Sequence, residues 1–148
     1  MKIFAVGNCF YGDDGVGVAV LDRIREANTF PGAELFDAHT DALALLDRFA
    51  PGELNVIIDA AEMGLEPGSV MAFRPNEVQV KIKSDHLSMH GFGLGETFIL
   101  AKQLGTMPED VLIVGVQPAR IEINQGLSEP VAAAVPRIIS LIEAEATE

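Results

Sequence analysis

A single cysteine, Cys9, stands in the 148 residues, so an internal disulfide framework is excluded and a reducing cytoplasm suits the chain. No apolar run approaches the roughly 20 residues that a membrane span needs. The opening Met1-Lys2-Ile3-Phe4-Ala5-Val6-Gly7 is too short and too glycine-bounded for a signal peptide, and it reads as a strand. Basic residues are scarce, ten against 22 acidic ones, for a formal net charge of −12. Such a surface repels nucleic-acid phosphates and anionic lipid, which makes nucleic acid and membrane poor partners. It can favour a cation or a basic segment of another protein, although keeping the chain soluble is the simpler role for that charge. Internal repeats, low-complexity tracts and linkers of domain-boundary character are also missing.

What is present fits an ordinary globular protein, with 49% hydrophobic and 22% charged residues. The length suits one well-buried core, hence a single domain over residues 1–148. Apolar runs alternate with helical periodicity, the βαβ rhythm of an α/β fold. We expect a three-layer sandwich: an open, twisted, mostly parallel sheet of about five strands with helices on both faces. Lys2 to Val6 is the first strand, and Val16, Val20, Leu21 and Ile24 mark a helix from about Asp14 to Ala27. Ala33 to Asp37 is the second strand, after which Thr40 caps a helix carrying Ala42, Leu45, Leu46 and Phe49. Pro51-Gly52 breaks that helix. The uninterrupted Val56-Ile57-Ile58 within Leu54 to Asp59 predicts a strand buried on both faces. Gly68 to Phe73 and Val78 to Ile82 are weaker strands, at least one of them an antiparallel edge. Leu94, Phe98, Ala101 and Leu104 mark a helix beginning near His90, and Val111 to Val116 is a further buried strand. Ser128 caps a last helix with Val131, Val135, Ile138, Ile139 and Ile142. Pro136 should kink or split it, and the tail from Glu143 should fray.

In open α/β sheets, ligands bind outside the carboxyl ends of the strands. Acidic residues fall there repeatedly: Asp13 and Asp14 after the first strand, Asp37 at the end of the second, and Asp59 at the end of the Val-Ile-Ile strand. His90 can join them from the opening of its helix. Asp14, Asp59 and His90 together offer a mixed oxygen and nitrogen set suited to zinc, nickel or a similar divalent ion, with positions left open for a substrate. A histidine in a first helical turn feels the positive end of the macrodipole, which disfavours its protonation and keeps it available as a ligand.

Plainer roles compete with each assignment. Asp13 or Asp14 can simply stabilise a helix N-terminus, and Asp37 can cap the following turn. Asp59 resists such a reading, because a carboxylate ending an apolar strand is costly unless paired or ligating. His90 without its partners would be a hydrogen-bonded structural histidine, and His39 and His86 are rival ligands in polar stretches. Cys9 sits beside the cleft as a candidate nucleophile, but a lone cysteine with no adjacent histidine is more often a packing residue, while Tyr11 lines the cleft or covers the edge of the core. Gly12, Gly15 and Gly17 give G-x-x-G-x-G, the reverse of a dinucleotide fingerprint, and no Lys-Ser/Thr follows for a phosphate loop. Asp13 and Asp14 stand where a pyrophosphate would rest, so no organic cofactor is expected at this loop.

Several ordered motifs resemble one family. Val6-Gly7-Asn8 followed by Gly12-Asp13-Asp14-Gly15-Val16-Gly17, then Val56-Ile57-Ile58-Asp59-Ala60 with Gly64-Leu65-Glu66-Pro67-Gly68, are similar to the hydrogenase maturation proteases. Ser88-Met89-His90-Gly91-Phe92-Gly93-Leu94, Gly115-Val116-Gln117-Pro118 and Gly126-Leu127-Ser128 extend the likeness to nearly the whole chain. The resemblance implies an endopeptidase that removes the C-terminal extension of the large-subunit precursor of a nickel-iron hydrogenase. It implies that nickel arrives with the substrate as a recognition element, held by Asp14, Asp59 and His90. Whether the metal polarises the scissile carbonyl or a carboxylate activates water stays open; no Asp-Thr-Gly signature is present. Relatives commonly carry Asp-Gly-Gly-Thr after the second strand, where this chain has Asp37-Ala38-His39-Thr40. That loop is the candidate precursor contact, through Asp37, His39 and Thr40, and His39 becomes an additional ligand candidate. A non-catalytic, metal-dependent docking chaperone for the same precursor would need the same residues, and a metal hydrolase of small molecules is a third reading.

Overall fold

The computed structural model of the chain describes residues 1–75, 93–123 and 126–147. Strands β1 (Lys2–Val6), β2 (Glu34–Asp37), β3 (Asn55–Ala60), β4 (Val70–Phe73) and β5 (Val111–Val116) form one sheet in the order β2-β1-β3-β5-β4. Pairing is parallel from β2 through β5, and β4 runs antiparallel along the β5 edge. The expected antiparallel edge strand is therefore β4; Val78 to Ile82 lies outside the described residues. Helices α1 (Val16–Ala27), α2 (Leu94–Leu104) and α3 (Glu129–Ala146) cover the sheet.

Strand alternation sorts the core into two faces. Ile3 and Ala5 of β1, Val56 and Ile58 of β3, and Leu112 and Val114 of β5 pack with Val20 and Leu21 of α1 and Val131 and Ile138 of α3. Phe4, Ile57 and Ile113 face the other way, against Leu45, Phe49 and the α2 residues Leu94, Phe98 and Ala101. All six residues of β3 and of β5 are buried, as a strand covered on both faces requires. Helix α1 ends where Asn28 turns left-handed, at φ 50° and ψ 42°, and the N–H groups of Asn28 and Thr29 return to Arg25 and Ile24 carbonyls.

Several elements differ from expectation. Asp14 lies in a short 3-10 helix, Gly12–Gly15, that precedes α1. Thr40 does not cap a helix: Asp41 does, its side chain accepting the Leu43 N–H at 3.1 Å, and the element is a 3-10 helix, Ala42–Asp47. Its stripe of Ala42, Leu45 and Leu46 has a spacing that a three-residue turn serves as well as a 3.6-residue one. Pro136 does not split the last helix, which runs unbroken to Ala146, beyond the point where fraying was expected. Pro136 and Ala132, the residue whose carbonyl loses its partner, both lie on the exposed side, where water can take that hydrogen bond.

Candidate functional site

Strand β1 sends its chain towards β2 through α1, whereas β3 lies on the other side of β1. The carboxyl ends of β1 and β3 thus flank the point where strand order reverses, the place where open α/β sheets leave a crevice. Asp14 follows β1 and Asp59 nearly ends β3, in register with Val6 of β1 and Gly115 of β5. Their relative exposures are only 5% and 4%, so both carboxylates are largely withdrawn from water at that edge.

Backbone geometry brings the first loop onto the sheet. Gly7 takes φ 144°, and a Cβ there would collide with the Asp14 carbonyl oxygen and stand 3.3 Å from its Oδ1. Only glycine permits that approach. The Asp14 Oδ2 accepts the Asn8 N–H at 2.8 Å, which orients the carboxylate towards the loop. Within the loop the Asn8 side chain accepts the Phe10 N–H at 3.0 Å. Helix α1 then lies so close to the sheet that a Cβ on Gly17 would be 2.8 Å from Ala5 Cβ and 3.1 Å from the Ile58 carbonyl oxygen.

Asp13, the neighbour of Asp14, has a different task. It is completely buried, and its carboxylate accepts the Ala119 N–H at 2.7 Å, the Arg120 N–H at 3.0 Å, and the Ser128 N–H and hydroxyl at 2.7 and 2.8 Å. Burial alone would push this carboxyl up. The Ser128 and Arg120 N–H groups, the Ser128 hydroxyl and the Ala119 N–H together outweigh it and hold Asp13 below the usual carboxylate range. The first loop is thereby fastened to the segment leading into α3. Ser128 stands at the N-cap of α3, but its side chain makes no capping bond; it serves Asp13 instead.

The loop after β2 is arranged around Asp37, which accepts the His39 N–H at 2.8 Å and lies 3.4 Å from His39 Nδ1. Asp37 thus caps its own turn. His39 occupies the left-handed region at φ 54°, and its side chain is 79% exposed; Thr40 is also exposed. The position keeps a glycine-like backbone although it carries a side chain. Cys9 is exposed rather than packed, and Tyr11 bridges to Ile123 on the closing segment. His90 and His86 lie outside the described residues, and among the described residues no three His, Cys, Asp or Glu side chains gather to hold a metal ion.

Residue reasoning did not single out Gln117. It is 3% exposed, and its side chain ties down the loop that follows Asp59, accepting the Met63 and Leu65 N–H groups at 2.7 and 3.3 Å. A buried amide directly after an apolar strand is the same kind of signal that marked Asp59.

Comparison with known proteins agrees with this architecture. A family model described as hydrogenase maturation protease matches residues 18–145. The hydrogenase expression/formation protein HupM of Azotobacter chroococcum mcd 1 is 34% identical over 133 residues, covering 88% of this chain and 64% of the relative. This chain thus spans slightly less than two thirds of that curated relative. Among solved structures, the hydrogenase maturating endopeptidase HybD from E. coli superposes with a TM-score of 0.81 at 26% identity, over 98% of this chain and 91% of that one. The NiFe hydrogenase maturation protease HybD from Thermococcus kodakarensis gives 0.81 at 28% identity, over 98% and 97%. The chain belongs to the hydrogenase maturation protease family.

Proposed function

We propose that the chain is an endopeptidase that removes the C-terminal extension from a nickel-loaded large-subunit precursor of a nickel-iron hydrogenase. The observation that carries this reading is the burial of Asp14, in the turn after β1, and of Asp59, near the end of β3, at the carboxyl edge where strand order reverses. Two carboxylates drawn out of water at one edge offer a cation oxygen donors in a setting where its attraction to them is little screened. Their oxygens, with the His90 imidazole contributed by the Ser88–Leu94 motif, make a donor set that suits nickel. The ion belongs to the substrate. Recognising it would restrict cutting to precursor whose metal has already been inserted, since empty precursor offers the same peptide but none of the electrostatic attraction.

In this reading Asp14, Asp59 and His90 dock on the substrate's nickel and hold one peptide bond against the crevice. The turn after β2, whose His39 and Thr40 are exposed and whose Asp37 is half-buried, is the precursor contact beside it. The test incubates the purified chain with nickel-loaded and nickel-free precursor and measures the mass of the precursor's C-terminus. Trimming of the loaded form alone is expected. Trimming of both forms counts against nickel recognition, and a stable complex with loaded, uncut precursor would favour the docking chaperone.

A further inference from the structure

Gln117 uses every hydrogen-bonding position of its side chain on the edge that carries Asp59. Its Oε1 accepts the Met63 and Leu65 N–H groups at 2.7 and 3.3 Å, and its Nε2 donates to Glu62 Oε1 at 2.9 Å and to the Pro118 carbonyl at 3.3 Å. Two acceptor sites and two donors exhaust what a primary amide can offer. The main chain reinforces the clamp: Gln117 N–H donates to the Ser69 carbonyl, and its own carbonyl accepts from Gly68, both at 2.9 Å. The loop leaving Asp59 is therefore caught at its start, middle and end by one residue.

This clamp reaches towards Asp59 through Met63. Gly115 stands opposite Asp59 in the ladder, and both project to the face that holds Ile57 and Ile113. Gly115 has no side chain, and the Met63 sulfur occupies the space over it, 3.2 Å from where a Cβ would be. The Met63 N–H is the shortest of the bonds to the Gln117 side chain. The amide thus seats a thioether over the strand position paired with Asp59, closing that flank with an apolar group.

We propose that Gln117 is a positioning residue for Asp59: through Met63 and Glu62 it holds the wall of the crevice that fixes the carboxylate's orientation towards substrate. This rests on the endopeptidase reading. The test is Gln117→Glu, which keeps both acceptor bonds but loses both donated ones and sets two carboxylates against each other at Glu62. With nickel-loaded precursor, kcat/KM should fall about tenfold or more, because a turned Asp59 carboxylate both docks the nickel less well and places the peptide bond less accurately. The double variant Gln117→Glu/Glu62→Gln exchanges amide and carboxylate, restores the bond with reversed polarity, and should recover much of kcat/KM; a loss through general destabilisation would instead show as a lowered Tm of Gln117→Glu. A folded Gln117→Glu variant that cuts as fast as the unaltered chain overturns the inference alone. An unaltered chain that leaves loaded precursor whole removes the reaction and the inference with it. Should Gln117→Glu fail to fold, Glu62→Ala acts on the exposed end of the same clamp: a lowered kcat/KM in a folded variant supports the inference, and an unchanged kcat/KM overturns it.

Discussion

Replacing Asp13 with asparagine should destabilise the protein far more than its single-atom change suggests. Asp13 is fully buried, and its Oδ2 accepts three hydrogen bonds while its Oδ1 accepts one. Hydrogen bonds to a charged acceptor contribute about 1.5–3 kcal/mol each, and a donor left facing another donor inside the protein costs about 1–3 kcal/mol. An asparagine amide has one oxygen, so whichever way it turns, its NH2 meets at least one backbone N–H. Because the four bonds share one group they do not add, and the expected loss is about 3 kcal/mol. In a domain of this size that lowers Tm by roughly 6–12 °C, measurable by circular dichroism. The pH dependence has a definite sign. Asp13 is held below the usual carboxylate range in the folded state, so its contribution is fully present above the unfolded value of about 3.9 and is lost as pH falls through the folded value. The gap between wild type and variant should be constant near neutrality and close on acidification. A Tm within about 1 °C of wild type at pH 7, or a gap that widens in acid, would refute the anchoring role.

Asp14→Asn, one residue along, should leave Tm less affected than Asp13→Asn yet reduce processing of nickel-loaded precursor by about a hundredfold or more, read by the mass of the precursor's C-terminus. His90→Ala should abolish the same processing with an unchanged circular dichroism spectrum; full activity would remove His90 from the mechanism. Gly7→Ala places a Cβ against the Asp14 carbonyl at a φ of 144° and should cost about 3 kcal/mol, measured by urea unfolding. Chelating the metal from loaded precursor before mixing should stop trimming, and adding nickel back before mixing should restore it.

Fold class was legible because it follows from local patterns. The Val56-Ile57-Ile58 run announced a strand covered on both faces, and β3 is one, flanked by β1 and β5. The order of the strands was not legible, since nothing within β1 says that β2 and β3 will pair with opposite edges of it. Asp14 and Asp59 could be nominated as strand-end carboxylates, but Asp13 looked equivalent to Asp14. What separates them is a set of N–H groups 106 to 115 residues away, which no spacing rule reaches. Residue type favours Thr40 as a cap, but Asp41 takes the place because its carboxylate reaches the Leu43 N–H at the start of a tighter turn. Gln117 drew no role from its surroundings in the sequence because all four partners of its side chain except Pro118 lie on a distant loop.

Gly17 determines how the two halves of the crevice are gauged. With no side chain between helix α1 and the strands beneath it, main chain meets Ala5 and the Ile58 carbonyl almost directly. The spacing between the turn bearing Asp14 and the strand bearing Asp59 is therefore set by atomic radii of the backbone, the least adjustable ruler a protein has, and rotamer changes elsewhere leave it untouched. In the proposed reading, that gauge places the main chain under Asp14 and Asp59 before any ion arrives, and leaves only the torsions of their own side chains to adjust to it.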